Sequence, residues 1–190
     1  MITRLLAPAV STLFLTAFTI QTPAAAQTAA QHVALASDST SLQTVGSFGL
    51  LQVKLGKLAQ QKGSSDVVRD FGKRMATEYA QTNEQLAAGA KQAAYPKPVL
   101  LRRHQQVFDR FNSMGKSSFD KSYMAEMVSE HDEAARLVEQ EAKAGRIASL
   151  KQLAVGMLSD VQQRQSLASQ TASSVGADVT ATTSADRQGS

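Results

Sequence analysis

The sequence predicts an all-α fold, a four-helix up-down bundle with one additional short helix. Three observations carry this expectation. Beyond Pro23 the only prolines are Pro96 and Pro98, so two long stretches lack the residue that a helix interior excludes. Between Phe48 and Ala168, Ala, Leu, Gln, Lys and Glu are abundant and β-branched residues sparse. Apolar residues recur at spacings of three and four, as a helix with one buried face requires. With 190 residues, 43% of them hydrophobic and 19% charged, the chain has material for one packed domain or at most two small ones.

The elements follow in order. Residues 1–26 read as a secretory signal: Arg4 gives the positive start, Leu5 to Ile20 the apolar stretch, and Pro23-Ala24-Ala25-Ala26 the small residues before a cleavage at Gln27. Residues 27–45, rich in Ala, Ser and Thr, read as a flexible leader. The bundle domain spans 46–175, and residues 176–190 read as a disordered tail. A first helix from about Ser47 to Gln61 places Phe48, Leu51, Leu55 and Leu58 on one face, with Gly63 as a left-handed cap. Ser64 or Ser65 caps a second helix running to about Ala94, with Val68, Phe71, Met75, Tyr79 and Leu86 along its stripe. Tyr95-Pro96-Lys97-Pro98 breaks the chain before a short helix, Val99 to Met114. Ser117 or Ser118 caps the next, Phe119 to Ala144, which carries Tyr123, Met127, His131 and Val138. Ser149 with Gln152 fits a capping box for the last helix, which buries Leu150, Met157 and Val161. Asp70–Arg74, Asp132–Arg136 and Glu139–Lys143 are acid-first pairs one turn apart, each worth about 0.2–0.5 kcal/mol.

Several function classes lose their residues. With no cysteine there is no disulfide, thiolate zinc site, iron–sulfur cluster or cysteine nucleophile. No phosphate-binding Gly-rich loop, G-x-S-x-G or H-E-x-x-H occurs. The three histidines are His32, His104 and His131. A carboxylate-bridged di-iron bundle needs Glu three residues before His, and Leu101 and Val128 stand there instead. No cofactor is expected, and His131 reads first as a core histidine, with a metal ligand or general base as its functional alternative. Glu126, Glu130, Asp132 and Glu133 around it read as a solvated surface. Arg102-Arg103-His104 is basic but has no interleaved aromatics, and loss of Arg4 with the signal lowers the formal charge from +4 to +3. Nucleic acid is therefore not an expected partner. The partner expected is a protein or envelope component, with no membrane span after signal cleavage and no assigned oligomeric state.

The segment Phe119-Asp120-Lys121-Ser122-Tyr123-Met124-Ala125-Glu126-Met127-Val128-Ser129-Glu130-His131 resembles the signature of domain of unknown function 4142. Gly49 to Ala59, Val68 to Met75 and the Glu141-Ala142-Lys143-Ala144-Gly145 turn resemble that family as well. The resemblance implies a bacterial exported protein with a ferritin-like helical bundle, and brings no settled activity. It also implies departures. Family members often carry acids where this chain has Gln52 and Lys54, and histidines near Tyr79 and Arg164. Periodicity independently places Gln52, Tyr79, His131 and Arg164 on the apolar faces of four helices. They are the candidate polar core cluster, expected to be hydrogen-bonded together, with a carboxylate or an opening beside Arg164 to offset its charge. The expected function is that of a non-enzymatic exported bundle, envelope or stress related, acting by binding. The alternative is a ferritin-like metal-binding or redox protein centred on His131.

Overall fold

The computed structural model describes residues 24–178, with side chains from residue 37 onward. Most of the signal segment and residues 179–190 of the tail lie outside the described residues. Within them there are five helices and no strand: α1 (Ala24–Lys62), α2 (Asp66–Gln92), α3 (Arg102–Ser113), α4 (Lys116–Ala144) and α5 (Ala148–Ser174). The short 63–65 and 145–147 connections make hairpins of α1 with α2 and of α4 with α5. Further contacts of α1 with α4 and of α2 with α5 join the hairpins, and α3 lies on α1, an arrangement consistent with a bundle.

The largest departure from the sequence reading is α1. Its 39 residues take in segment 27–45, read as a flexible leader, and its first residues overlap the end of the proposed signal. Asp38, Leu42 and Val45 are buried there, because α2, α4 and α5 leave a groove that this helix fills. Between Leu42 and Ala59 only Lys57 is exposed, so α1 is covered on nearly every side. Such a helix has no polar face to announce it.

Small residues permit that enclosure. A Cβ on Gly56 would overlap the Gly72 carbonyl oxygen, and one on Gly72 would stand 2.6 Å from Ala59 Cβ. The α1 and α2 backbones therefore touch. Gly46 likewise gives room to Pro98, whose loop crosses α1 before α3 begins at Arg102 rather than Val99. Gln43 Nε2 donates to the Pro96 carbonyl at 2.9 Å and holds the same loop.

The helix ends are capped from a distance more than from within. Ser65 Oγ accepts from Val68 N–H at 3.4 Å, the local cap expected for α2. Asp120 of α4 reinforces it, accepting from Ser64 and Ser65 N–H at 2.9 and 2.8 Å. The start of α5 receives no cap from Ser149; Asp38 Oδ2 of α1 accepts from Arg146 and Ile147 N–H at 2.9 and 2.8 Å. Gly115 opens α4 without a side-chain cap, so neither Ser117 nor Ser118 serves. Gly63 is not left-handed; among the described residues only Ala94 and Gly176 have positive φ. Lys62 Nζ instead donates to the carbonyls of Phe111, Asn112 and Met114 at 2.5–3.3 Å, capping the C-terminus of α3. Of the three expected charge pairs, Glu139–Lys143 forms at 2.5 Å. Arg74 turns from Asp70 to Glu78, and Asp132 accepts from Gln165.

The interior divides into two clusters. One is aromatic, built on Phe48, Phe71, Tyr79, Phe111, Phe119 and Tyr123 with Met75, Met124 and Met127. The other is aliphatic, built on Leu42, Leu86, Val138, Leu150, Met157 and Val161. Burying each large apolar side chain contributes roughly 1.5–3 kcal/mol, so both clusters are needed against the entropy of ordering the chain.

Candidate functional site

The helical register brings the polar core residues inward because each lies on its helix's apolar stripe. Gln52 and His131 are fully buried, Tyr79 is 2% exposed and Arg164 7%. His131 sits in a cage of rings: Phe48 at 5.2 Å, Tyr79 at 5.8 Å and Phe71 at 6.3 Å between centroids, all edge to face. The Arg164 guanidinium lies 4.8 Å over the centre of the Tyr79 ring. Gln52 is one helical turn beyond Phe48, whose ring touches both Tyr79 and His131.

The Gln52 amide and His131 Nε2 find no partner in the other members of the set, and Arg164 is the member that acts on the Tyr79 hydroxyl, opposing the rise that burial causes. Within the expected cluster, Tyr79 meets His131 edge to face and carries Arg164 over its ring, and Gln52 is buried one turn from Phe48. Arg164 has its offset: Nε donates to Glu78 Oε2 at 2.8 Å, and Asp160 stands 3.9 Å away. Burial works to raise the Glu78 carboxyl, but Arg164 and Arg74 together hold it below the usual value. His131 Nδ1 donates to the Met127 carbonyl at 2.7 Å, which leaves Nε2 as a bare acceptor. Burial, with Arg164 adding to it, lowers His131 to about 4, so the ring is neutral at physiological pH. Burial alone drives the Tyr123 hydroxyl up, and burial is the chief cause of the rise at Tyr79.

Both polar atoms of the Gln52 amide, the Tyr79 and Tyr123 hydroxyls and His131 Nε2 are buried with no partner among the described residues. Each polar group left unmade costs about 1–3 kcal/mol. Five together would consume most of the roughly 5–15 kcal/mol by which a domain is stable. Among the described residues no group of three or more His, Cys, Asp or Glu could hold a metal ion. The neutral layer can accept and donate hydrogen bonds; it supplies no negative charge to a cation.

With this geometry in place, comparison with protein families finds a match to the domain of unknown function DUF4142 over residues 21–171. The chain belongs to the DUF4142 family. No curated protein and no solved structure gives a significant match. The matched range includes the segment read as a leader, in keeping with α1 as one long helix of the DUF4142 domain.

The sequence reading missed a second buried polar group in this DUF4142 domain. His104, read as part of the basic cluster Arg102-Arg103-His104, is fully buried. Its Nδ1 and Ser47 Oγ share a 2.6 Å hydrogen bond, Leu101 N–H donates to the same oxygen at 2.7 Å, and Nε2 faces Glu130 Oε2 at 3.5 Å. Burial foremost, then the charge of Arg103, lowers His104 to about 4 despite the opposing pull of Glu133. The acids read as solvated surface also face α3: Arg103 pairs with Glu133 at 2.9 Å and Arg110 with Glu126 at 2.5 Å. Glu126 is buried and Glu133 half-buried. A signal was present in the sequence. Glu126, Glu130 and Glu133 repeat at four and three along α4, and Arg103 and Arg110 stand seven apart, two turns along one face of α3, complementary in charge.

No helix among the described residues is long and apolar enough to cross a membrane.

Proposed function

We propose that this protein is a non-enzymatic exported module, ferritin-like in its four long helices with one short helix added, that acts by binding a protein or envelope component. Its place is periplasmic or secreted, as the N-terminal signal reading implies, and its role is envelope or stress related. The observation that supports this best is the state of its two interior histidines. His104 and His131 are fully buried, each holds one hydrogen bond within the protein, and both are lowered to about 4. A general acid or base works best when its pKa lies near the operating pH and it can reach a substrate. Neither ring meets those conditions, so the chemistry available lies in surface recognition.

Site-specific photo-crosslinkers in living cells test the reading, placed at the exposed positions Val67, Val99 and Val155 on separate parts of the surface. A discrete adduct from one position and not the others is expected. Uniform labelling, or none from any position on a wider surface scan, would sink it. Cell fractionation with N-terminal sequencing checks export, with Gln27 the expected new terminus.

One observation favours the metal reading. His131 donates Nδ1–H to a backbone carbonyl and keeps Nε2 bare, which is how ligating histidines are commonly held. Elemental analysis of untagged protein purified without chelators decides it. Near-stoichiometric iron, copper or manganese, lost in His131→Ala, would replace the binding module with a metal protein.

A further inference from the structure

We propose that the polar layer of the bundle is a hydration site, in which at least one ordered water molecule is bound between α1, α2 and α4 by Gln52, Tyr79 and His131. The chemistry of the three groups selects the ligand. With Nδ1–H committed to Met127, His131 Nε2 can only accept. Tyr79 O–H can donate, and the Gln52 amide offers two donors and an acceptor. A water molecule has two protons and two lone pairs. Ordered water can therefore donate to His131 Nε2 and Gln52 Oε1 and accept from Tyr79 O–H and Gln52 Nε2, the buried atoms that lack a partner among the described residues.

The surroundings argue against the other occupants. A cation would meet the fixed charge of Arg164, whose guanidinium lies 4.8 Å from the Tyr79 ring centre. The nearest carboxylate on this layer, Glu78, is already engaged by Arg164 and Arg74. A dry layer would leave all four atoms unmade, a penalty comparable to a domain's net stability. The Phe48, Phe71 and Tyr79 rings around His131 restrict the site to a small ligand.

The test is water-selective nuclear magnetic resonance on the isotopically labelled full chain. Cross-peaks from long-lived water to the Gln52 side-chain amide and the His131 ring protons are expected. Tyr79→Phe, which deletes one hydroxyl and keeps the ring, should weaken them. Gln52→Leu should abolish them and lower the folding equilibrium constant about fivefold. Absence of the cross-peaks in the wild-type protein overturns the proposal, as does a Gln52→Leu variant that is more stable than wild type, the mark of a dry core. A shift of the His131 Nε2 resonance on titration with zinc(II), iron(II) or copper(I), with loss of the water cross-peaks, would assign the site to a metal and overturn it equally.

Discussion

The two halves of the interior are built on different terms. The aromatic half interlocks rings at centroid distances of 5.2–6.3 Å and brings the α1 and α2 backbones into contact at Gly56 and Gly72. It also contains His131 with the unpartnered atoms of Gln52, Tyr79 and Tyr123. The aliphatic half has no such polar layer and retains a cavity of about 30 Å³, lined by Leu42, Val45, Leu86, Val138, Leu150 and Met157, with Asp38 and Glu141 also on its wall. Rigid rings cannot readjust around a polar group, so such a group must find its partner in place. Branched aliphatic chains around a small void can readjust. The comparison teaches that specificity sits in the aromatic half and tolerance in the aliphatic half.

The largest effects should come from breaking the first half. Phe48→Ala removes a ring that touches both Tyr79 and His131, and a loss of about 3–5 kcal/mol is expected in urea unfolding. Gly72→Val forces a side chain between touching backbones and should cost about 3 kcal/mol or more, read as a lower midpoint at an unchanged slope. Equal costs for Leu150→Ala and Phe48→Ala would erase the distinction between the halves.

Acid separates the halves by sign. His104 and His131 are lowered to about 4 in the folded protein, against 6.5 for the free side chain. Between those values the unfolded chain binds more protons than the folded one. Stability therefore falls as pH drops from 6.5 towards 4, by up to roughly 3 kcal/mol for each fully buried ring. In the aliphatic half Glu141 is raised, by burial first and by Asp38 second, with Lys151 opposing. There the folded protein takes up its proton first, so the contribution of Glu141 to stability rises as pH falls below its folded value. Unfolding midpoints from pH 7 to 4 should fall steeply in the wild type and less steeply in His131→Gln. Glu141→Gln should raise the midpoint at pH 7 and leave the steep acid loss in place. A profile flat from pH 7 to 4 would contradict the neutral, buried state of both rings.

The remote caps should be equivalent across the halves. Asp38→Ala uncaps α5 and Asp120→Ala removes the distal cap of α2, and each should cost about 1 kcal/mol. Hydrogen exchange should quicken at the N-terminal turn of α5 in the first and of α2 in the second. The smallest effect is the most diagnostic. Val138→Ile adds one methyl beside the cavity and should stabilise by about 0.5–1 kcal/mol, whereas Val68→Ile in the aromatic half should destabilise. The same sign for both would mean that the halves are packed alike.

Much of the fold was legible because its signals are local. The stripe of Val68, Phe71, Met75 and Tyr79, the break at Pro96 and Pro98, and the cap at Ser65 each depend on residues a few positions apart. The inward placement of Gln52, Tyr79, His131 and Arg164 was legible for the same reason: a polar residue on an apolar stripe is conspicuous. The burial of His104 was not, since α3 pairs Arg102-Arg103-His104 with one another in sequence while folding sends His104 inward and Arg103 to Glu133. Segment 27–45 read as a leader because the apolar companions of its Leu42 and Val45, Leu86, Val138 and Leu150 among them, lie far along the chain.

By itself, then, the sequence determined the all-helical class, the order of the helices and the inward register of Gln52, Tyr79, His131 and Arg164, since backbone propensity and a 3.6-residue period act within one turn or two. Tertiary structure alone decided what those side chains meet. It placed Glu78 against Arg164, Asp38 on the end of α5, Asp120 on the start of α2 and Lys62 on the end of α3. It left His131 Nε2 and the Gln52 amide without a protein partner. The reason is physical: whether a buried polar atom is satisfied depends on which groups lie within about 3 Å, and that is a property of packed helices rather than of neighbours along a chain.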